Sequence, residues 1–386
     1  MGTGSQRWDA LDLLRGFSLI GMLLNLEAGS WSHVYPWLEH ARWEGATPID
    51  LVAPVFLFCV GAVLPLSLAR RLDNGSGRAA AAGRVLWRTL ALVAIGFLLN
   101  LYPDFDWAHV RIPGVLQRIG LTYGLAGLFL LAVARSGRGA ERFPITPVMA
   151  GFVLILISYF ALLEFAPVPG YGAPRFDPVG SWPSVVDRAV FGPDHMFRWW
   201  PVDGKVVFDP EGILSTWPAT AQVLFGALIG LTYARGGQKR PLLVVLPAGA
   251  ALIALAIALC GVCPIIKNIW TPTFVLFTSG LALVVLALLS AVAGRPGFAP
   301  LAFPARIFGA NPLPPYILSF LLDPLWDLRW IRSGASAPTS IRDFAQASFE
   351  TVLPADAASL LFGVVVLLPL FLVNLICWRR RWFLRL

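Results

Sequence analysis

Long apolar runs recur along the whole chain, and they constrain its fold more than any other feature of the sequence. A helix needs about 20 mostly apolar residues to cross a hydrocarbon core about 30 Å thick. Of the 386 residues, 57% are hydrophobic and 13% are charged, and the mean hydropathy is +0.71. A soluble domain with a hydrated surface does not have this composition. The sequence therefore predicts a single all-α membrane domain over residues 1–386 that crosses the bilayer repeatedly.

The apolar runs are bounded by proline, glycine and charged residues, and they predict about ten transmembrane helices. The first run carries Asp12, Arg15 and Gly16 and has no small-residue cleavage site after it. We therefore interpret it as a retained helix and not as a signal peptide. The predicted helices cover residues 10–27, 47–69, 85–102, 114–134, 146–166, 215–234, 242–262, 273–293, 306–323 and 357–377.

Basic residues mark one set of the connections between these helices. If the count of ten is correct, these connections lie on one side of the membrane, and the positive-inside rule predicts that this side and both termini are cytoplasmic. The basic residues form no patch interleaved with aromatic residues, so the net charge of +8 does not indicate nucleic-acid binding. The residues are Arg70, Arg71, Arg78, Arg84, Arg135, Arg138, Arg142, Arg235, Lys239, Arg240, Arg295, Arg379, Arg380, Arg381 and Arg385.

Cysteine content and internal symmetry restrict the classes of function. The four cysteines are too scattered for a disulfide framework, and the pair Cys260 and Cys263 has no second pair with which to bind zinc. Buried thiols and a labile disulfide are both open interpretations of this pair. The sequence shows no internal repeat with matched broken helices, which argues against an inverted-repeat transporter.

All four histidines fall in connections predicted to be non-cytoplasmic, and His40 lies between the first two predicted helices. Asn25 and Asp50 end and begin those antiparallel helices, so we expect both at the same membrane face as His40. An imidazole can take a proton from an amine, a carboxylate can fix its tautomer, and an amide N–H can stabilise a developing oxyanion. The same spacing also fits two helix caps and a solvated loop histidine.

A second polar group lies within the predicted spans. Asp12 and Arg15 are three residues apart on the first helix, and Gln117 and Arg118 lie early in the fourth. Ionisable groups at the centre of a span cost about 2.5 to 3.5 kcal/mol each, so they usually line a polar cavity or pair with one another. Asp12 and Arg15 therefore form either a structural ion pair or part of a cleft.

The longest connection predicted to be non-cytoplasmic, residues 167–214, combines aromatic and acidic side chains. Aromatic faces beside carboxylates suit sugar rings, although tryptophan is also enriched at bilayer interfaces. The residues concerned are Trp182, His195, Trp199, Trp200, Asp209 and Glu211.

Six short strings in the chain are distinctive. They are DLLRG at 12–16, LEHARWEG at 38–45, DLVAPVFLF at 50–58, RIPGVLQRIG at 111–120, DPEGILST at 209–216 and KNIW at 267–270, and Asn25 lies between the first two. Through these strings the chain strongly resembles the heparan-alpha-glucosaminide N-acetyltransferase family, and the resemblance is collinear from the first predicted helix to about the ninth.

The resemblance implies transfer of an acetyl group from cytosolic acetyl-CoA to the amine of a terminal glucosamine across the membrane. It implies that His40, Asn25 and Asp50 are catalytic, with His40 either transiently acetylated or acting as the base of a direct transfer. We expect acetyl-CoA as co-substrate and no metal ion. The expected acetyl-CoA contacts are Asp12, Arg15, Gln117, Arg118, Lys267 and Asn268, and the expected acceptor contacts are Trp43, Asp209, Glu211 and Trp270.

Departures from the family leave the acceptor open. We expect the chain to lack the large luminal domain and extra leading helix of the animal enzymes, and LEAG at 26–29 stands where a Gly- or Pro-rich stretch often follows the asparagine. A prokaryotic protein of the bacterial inner (plasma) membrane, acting on a glucosamine-containing wall or a scavenged sugar, is the expectation. Homodimerisation is left open. An O-acyltransferase of an envelope glycan and a sugar or metabolite transporter are the alternatives.

Overall fold

A computed structural model describes residues 8–236, 241–331 and 338–384. The predicted cytoplasmic residues Lys239, Arg240 and Arg385 lie outside the described residues. Within the described ranges the chain forms thirteen α-helices and one short antiparallel β pair, which confirms the all-α prediction.

The helices follow the apolar runs closely, because backbone groups in a bilayer core must be satisfied within their own segment. A 3-10 turn, Pro48–Leu51, leads directly into α2, and β1 (Arg329–Ile331) pairs with β2 (Thr339–Ser340). The helices are α1 (Asp9–Leu26), α2 (Val52–Asp73), α3 (Arg78–Leu101), α4 (Val115–Val133), α5 (Ile145–Phe165), α6 (Trp182–Val190), α7 (Thr216–Gly236), α8 (Pro241–Leu259), α9 (Pro272–Val292), α10 (Ala299–Ala310), α11 (Leu313–Trp326), α12 (Ile341–Glu350) and α13 (Ala355–Arg379).

Six segments among the described residues are long and apolar enough to cross a bilayer. Their length and composition identify the chain as an integral membrane protein. The count of ten spans and the cytoplasmic position of both termini stay predictions. The six segments are Pro48–Asp73, Arg78–Leu101, Val115–Val133, Ile145–Phe165, Pro272–Val292 and Ala355–Arg379.

The prediction of one continuous helix over residues 306–323 is wrong. The chain forms α10 and α11 there, and they are separated at Asn311, whose backbone is not helical. Asn311 precedes Pro312, and the ring of a proline disfavours helical geometry in the residue before it. The Asn311 side chain compensates by donating a hydrogen bond to the Trp382 carbonyl, 3.1 Å away.

One compact unit contains Met1–Ala41, Thr47–Ala53 and Leu288–Arg385. Within it α1 packs against α10, and a methyl group on Gly16 would overlap the backbone carbonyl of Ala305. Gly309 meets the Asp12 carbonyl in the same way. Small residues allow membrane helices to approach to backbone contact, so the two glycines account for the closeness of this pair.

The other unit contains Arg42–Ala46 and Pro54–Ala287. Here α4 and α5 pack on α7, and α3 packs on α4. Gly226 and Gly230 of α7 lie against the backbone of Phe58 and Ala62 in α2, which again depends on the absence of a side chain. The single-domain assignment of residues 1–386 stays a prediction.

Candidate active site

His40 and Asp50 form a close pair in the first unit. The Nδ1 atom of His40 lies 2.6 Å from Oδ1 of Asp50, whose side chain is fully buried, while 23% of the His40 side chain is exposed. An ionised carboxylate can only accept, so Nδ1–H donates and Nε2 carries the lone pair. This arrangement gives the imidazole the tautomer that a general base needs.

Asp50 is held by more than the histidine. Its other oxygen, Oδ2, accepts hydrogen bonds from the Ala41 N–H at 3.1 Å, the Thr47 N–H at 2.9 Å and the Thr47 hydroxyl at 3.0 Å. Thr47 and Asp50 form a capping box at the 3-10 turn before α2. Asp50 is therefore both a helix-end cap and the hydrogen-bond partner of His40. The sequence had suggested these two roles as alternatives, and one side chain has both.

Asn25 lies in the last turn of α1 and faces the same connection. Its Nδ2 donates to the Leu38 carbonyl at 2.8 Å, two residues before His40. The side-chain amide has a second N–H, and stabilisation of an oxyanion by that group stays a prediction.

Asp12 and Arg15 form an ion pair on α1. The Arg15 Nη2 atom lies 2.8 Å from Asp12 Oδ1, and its Nε donates to the Gly309 carbonyl at 2.6 Å. The pair therefore fixes α1 against the end of α10, and a contact of either residue with acetyl-CoA stays a prediction.

In the second unit, Arg111 binds both acidic residues of the DPEG string. Its Nε and Nη2 atoms donate to the Asp209 carboxylate at 2.9 and 2.6 Å, and Nη2 also donates to Glu211 at 2.5 Å. Burial by itself would lower the pKa of Arg111, but the charges of Asp209 and Glu211 raise it well above its usual value. Arg111 is therefore a permanent cation here.

The electrostatics of Glu211 follow from the same cluster. Burial favours the neutral acid, but the charges of Arg111, Arg118 and Lys267 outweigh it and lower the pKa of Glu211. Asp209 in turn accepts hydrogen bonds from the Phe197 and Glu211 backbone N–H groups, both at 2.9 Å. Both predicted acceptor residues are thus tied to Arg111, and their contact with a sugar stays a prediction.

Arg118 is the centre of a buried polar group on α4. It donates through Nη2 to the Ser215 hydroxyl at 2.5 Å and to the Gly212 carbonyl at 3.2 Å, and its guanidinium lies 4.7 Å from the centre of the Trp270 ring. Among the described residues, its Nε and Nη1 atoms have no hydrogen-bond partner. A buried donor without a partner costs about 1 to 3 kcal/mol, so these atoms indicate a place that a ligand or water fills.

Three neighbouring residues carry open polar atoms of the same kind. Within the described part of the chain, no partner exists for Asn268 Oδ1, Trp270 Nε1 or Asp187 Oδ2, although all three residues are at least 98% buried. Asn268 Nδ2 donates weakly to the Arg42 carbonyl at 3.4 Å. The second unit therefore encloses unsatisfied donors and acceptors together.

The remaining predicted contacts have structural partners. Gln117 Nε2 donates to the Ile112 carbonyl at 3.0 Å, and Trp43 Nε1 donates to the Phe176 carbonyl at 2.8 Å. The Trp43 ring also packs edge-on against Phe208, with centroids 5.0 Å apart. Their roles toward acetyl-CoA and acceptor stay predictions. The described residues contain no group of three His, Cys, Asp or Glu that could hold a metal ion.

Two residues of these clusters were absent from the predicted site, Arg111 and Asp187. Arg111 begins the RIPGVLQR string, so its position in a motif was the available signal. Asp187 lies in the short helix α6 and carries no motif at all. Its Oδ1 accepts the Ile213 N–H at 3.0 Å, and burial, reinforced by the charge of Asp209, raises its pKa to about 7.

The Asp187→Asn variant is expected to remove a pH dependence of stability. The pKa of Asp187 rises from 3.8 to about 7 on folding, so the unaltered protein loses stability as the pH increases from about 4 to about 7. A difference of this size corresponds to up to about 4 kcal/mol. The difference between the melting temperatures at pH 5 and at pH 8, measured in detergent, should be smaller in Asp187→Asn than in the unaltered protein. The control is Asp194→Asn, which changes an exposed aspartate and should keep the larger difference. Equal differences in all three would contradict the prediction.

Comparison with known proteins shows what the first part of the chain is similar to. The family model described as "Heparan-alpha-glucosaminide N-acetyltransferase, catalytic" matches residues 7–163. The Homo sapiens protein named heparan-alpha-glucosaminide N-acetyltransferase is 31% identical over 221 residues, which are 50% of this chain and 33% of the human protein. The Mus musculus protein of the same name is 29% identical over 225 residues, 51% of this chain and 34% of its own length.

The chain thus spans about one third of the length of the curated relatives it matches. His40, Asp50 and Asn25 fall within the segment covered by the family model. These matches confirm the resemblance predicted from the motifs: residues 7–163 of the chain are similar to the catalytic region of heparan-alpha-glucosaminide N-acetyltransferases.

Proposed function

We propose that this protein transfers an acetyl group from cytosolic acetyl-CoA to the amine of a glucosamine-type sugar on the non-cytoplasmic side of the membrane. The observation that carries the proposal is the His40–Asp50 pair, with its 2.6 Å bond and fully buried carboxylate. The similarity to acetyltransferases over residues 7–163 supports the same reaction class. A bacterial inner membrane, an amino-sugar acceptor and surrounding lipid are part of the proposal.

The chemistry needs a base beside the acceptor. An amine must lose a proton as its nitrogen attacks the thioester carbonyl carbon, and Nε2 of His40 is the nitrogen that takes it. Asp50 holds the ring and stabilises the imidazolium that forms, while the carbonyl oxygen becomes an oxyanion that the second N–H of Asn25 would bind. The thiolate of CoA then leaves and is protonated. In the alternative route Nε2 attacks the thioester first, and the amine receives the acetyl group from the imidazole.

For the acetyl-CoA arm, the proposed contacts are the open atoms around Arg118. The pantetheine part of CoA carries amide groups, each with one N–H donor and one carbonyl acceptor. Arg118 and Trp270 offer N–H donors to carbonyls, and Asn268 and Asp187 offer oxygens to N–H groups. Pairing these buried groups would recover the free energy that their unsatisfied state loses. In the same unit, Gln117 and Lys267 are further proposed contacts, and contacts of Asp12 and Arg15 with acetyl-CoA stay predictions from the sequence.

The reaction is tested with the purified protein in detergent, supplied with acetyl-CoA and glucosamine. Release of the CoA thiol together with an acetylated sugar that resists mild alkali supports the proposal, because amides survive that treatment and esters do not. An alkali-labile product would make the protein an O-acyltransferase. Uptake of sugar into proteoliposomes without release of CoA thiol would make it a transporter. Either result overturns the N-acetyltransferase assignment.

A further inference from the structure

A rigid turn immediately before His40 is part of the first unit. The Leu38 N–H donates to the Tyr35 carbonyl at 2.8 Å, and the Leu38 carbonyl accepts the Asn25 side chain at the same distance. The Leu38 side chain is buried, and Pro36 fixes one backbone dihedral inside the turn. The turn is therefore anchored to the end of α1 through its backbone, and the buried Leu38 side chain fixes it further.

The turn presents an aromatic surface. The rings of Tyr35 and Trp37 are stacked, with centroids 6.0 Å apart and planes inclined by only 19°. Trp37 is nevertheless 45% exposed, and the exposed carboxylate of Glu39 follows two residues later. The ring of Trp37 is therefore held by Tyr35, lies close in sequence to the Glu39 carboxylate and remains accessible to a ligand.

The reach of the chain places this surface close to the base. His40 lies three positions after Trp37, and three residues span at most about 10 Å. That distance is comparable to the length of a disaccharide. A sugar unit linked to the glucosamine that receives the acetyl group would therefore lie over this surface.

We propose that Tyr35, Trp37 and Glu39 form an acceptor subsite that binds the second sugar ring of a glycan, next to the glucosamine acetylated at His40. The inference rests on the proposed function and narrows the acceptor to an oligosaccharide. The C–H face of a pyranose ring packs on the face of Trp37, and the Glu39 carboxylate accepts from hydroxyl or ammonium groups of the sugar.

Anchoring at the bilayer interface is the competing role of exposed tryptophan. The two roles make different demands on Trp37. An interface anchor contributes to the stability of the protein in lipid and is indifferent to the acceptor, whereas a subsite affects a longer acceptor more than a short one. Trp107, 66% exposed on another connection, provides the matched control.

The experiment compares the kinetics of Trp37→Ala, Trp37→Phe and Trp107→Ala with free glucosamine and with a β-linked glucosamine disaccharide. For Trp37→Ala we expect the KM for the disaccharide to rise about tenfold, while its kcat and the KM for free glucosamine change less than twofold. Trp37→Phe should restore most of the loss, because it keeps an aromatic face. Trp107→Ala should leave both KM values unchanged.

The two proposals fail in different ways. If the unaltered protein turns over neither sugar, the proposed function is wrong and the subsite is wrong with it. If turnover is normal and Trp37→Ala changes the KM for the disaccharide by no more than that for free glucosamine, only the subsite is wrong. An equal rise for both sugars in Trp37→Ala also rejects the subsite, because a general disturbance of the His40 turn explains it.

Discussion

Replacing His40 with alanine is expected to lower acetyl transfer from acetyl-CoA to glucosamine by about 10²- to 10⁴-fold. The substitution removes the nitrogen that we propose takes the proton of the amine, and no other group in the pair can replace it, because Asp50 is fully buried. The rate of CoA thiol release at saturating acetyl-CoA measures the effect.

A second histidine–aspartate pair provides the control for this experiment. His109 Nδ1 lies 2.7 Å from Asp106 Oδ2, nearly the same separation as in the His40 pair, but half of each side chain is exposed. His109→Ala should therefore leave the rate within twofold. The melting temperature of His40→Ala should stay close to that of the unaltered protein, because Asp50 keeps three other hydrogen bonds. Normal turnover in a folded His40→Ala protein would remove His40 from the mechanism.

Replacing Arg111 with methionine is expected to destabilise the protein by about 3 to 5 kcal/mol. The change keeps most of the apolar stem but leaves the carboxylates of Asp209 and Glu211 without the cation that binds both. A buried charge that loses its partner keeps its desolvation penalty, which is why removal of one member is so damaging. Loss of folded yield and a lower melting temperature in detergent measure the effect.

Arg142 provides the matched control for Arg111. It pairs with Asp73 at 2.9 Å, and its side chain is about as exposed as that of Arg111. The Asp73 side chain is 31% exposed whereas that of Asp209 is fully buried, so Arg142→Met should lower the melting temperature far less than Arg111→Met. Adding Asp209→Asn and Glu211→Gln to Arg111→Met should recover part of the lost stability, because the unpaired charges are then removed. Equal effects of Arg111→Met and Arg142→Met would show that burial of the cluster contributes nothing.

Much of the secondary structure follows from local sequence. Apolar runs predicted the positions of most helices to within several residues, because a span is defined by its own length and composition. The split between α10 and α11 was not predicted from the sequence. Pro312 lies inside the predicted helix, and a proline disfavours helical geometry in the residue before it, here Asn311. The apolar character of residues 306–323 outweighed that local signal.

The candidate site was likewise predictable only in part from the sequence. His40, Asn25 and Asp50 were predictable as a group, because one connection between two predicted helices keeps them within 26 positions of sequence. The tertiary structure decides which of their atoms form hydrogen bonds. In it, Asp50 bonds both to the backbone of the 3-10 turn before α2 and to the imidazole of His40. Among the aromatic residues, Trp43 was predicted as a contact of the acceptor, yet its ring packs against Phe208 while Trp37 is open.

By itself, then, the sequence determined the membrane character, most of the helices and the members of the histidine site, because each depends on composition or on residues close in the chain. Only the tertiary structure joined Arg111 to Asp209 across 98 positions and left the atoms of Arg118 open. The exposure of a side chain and the pairing of its polar atoms depend on packing between distant segments. A local sequence pattern does not indicate which distant segments will pack together.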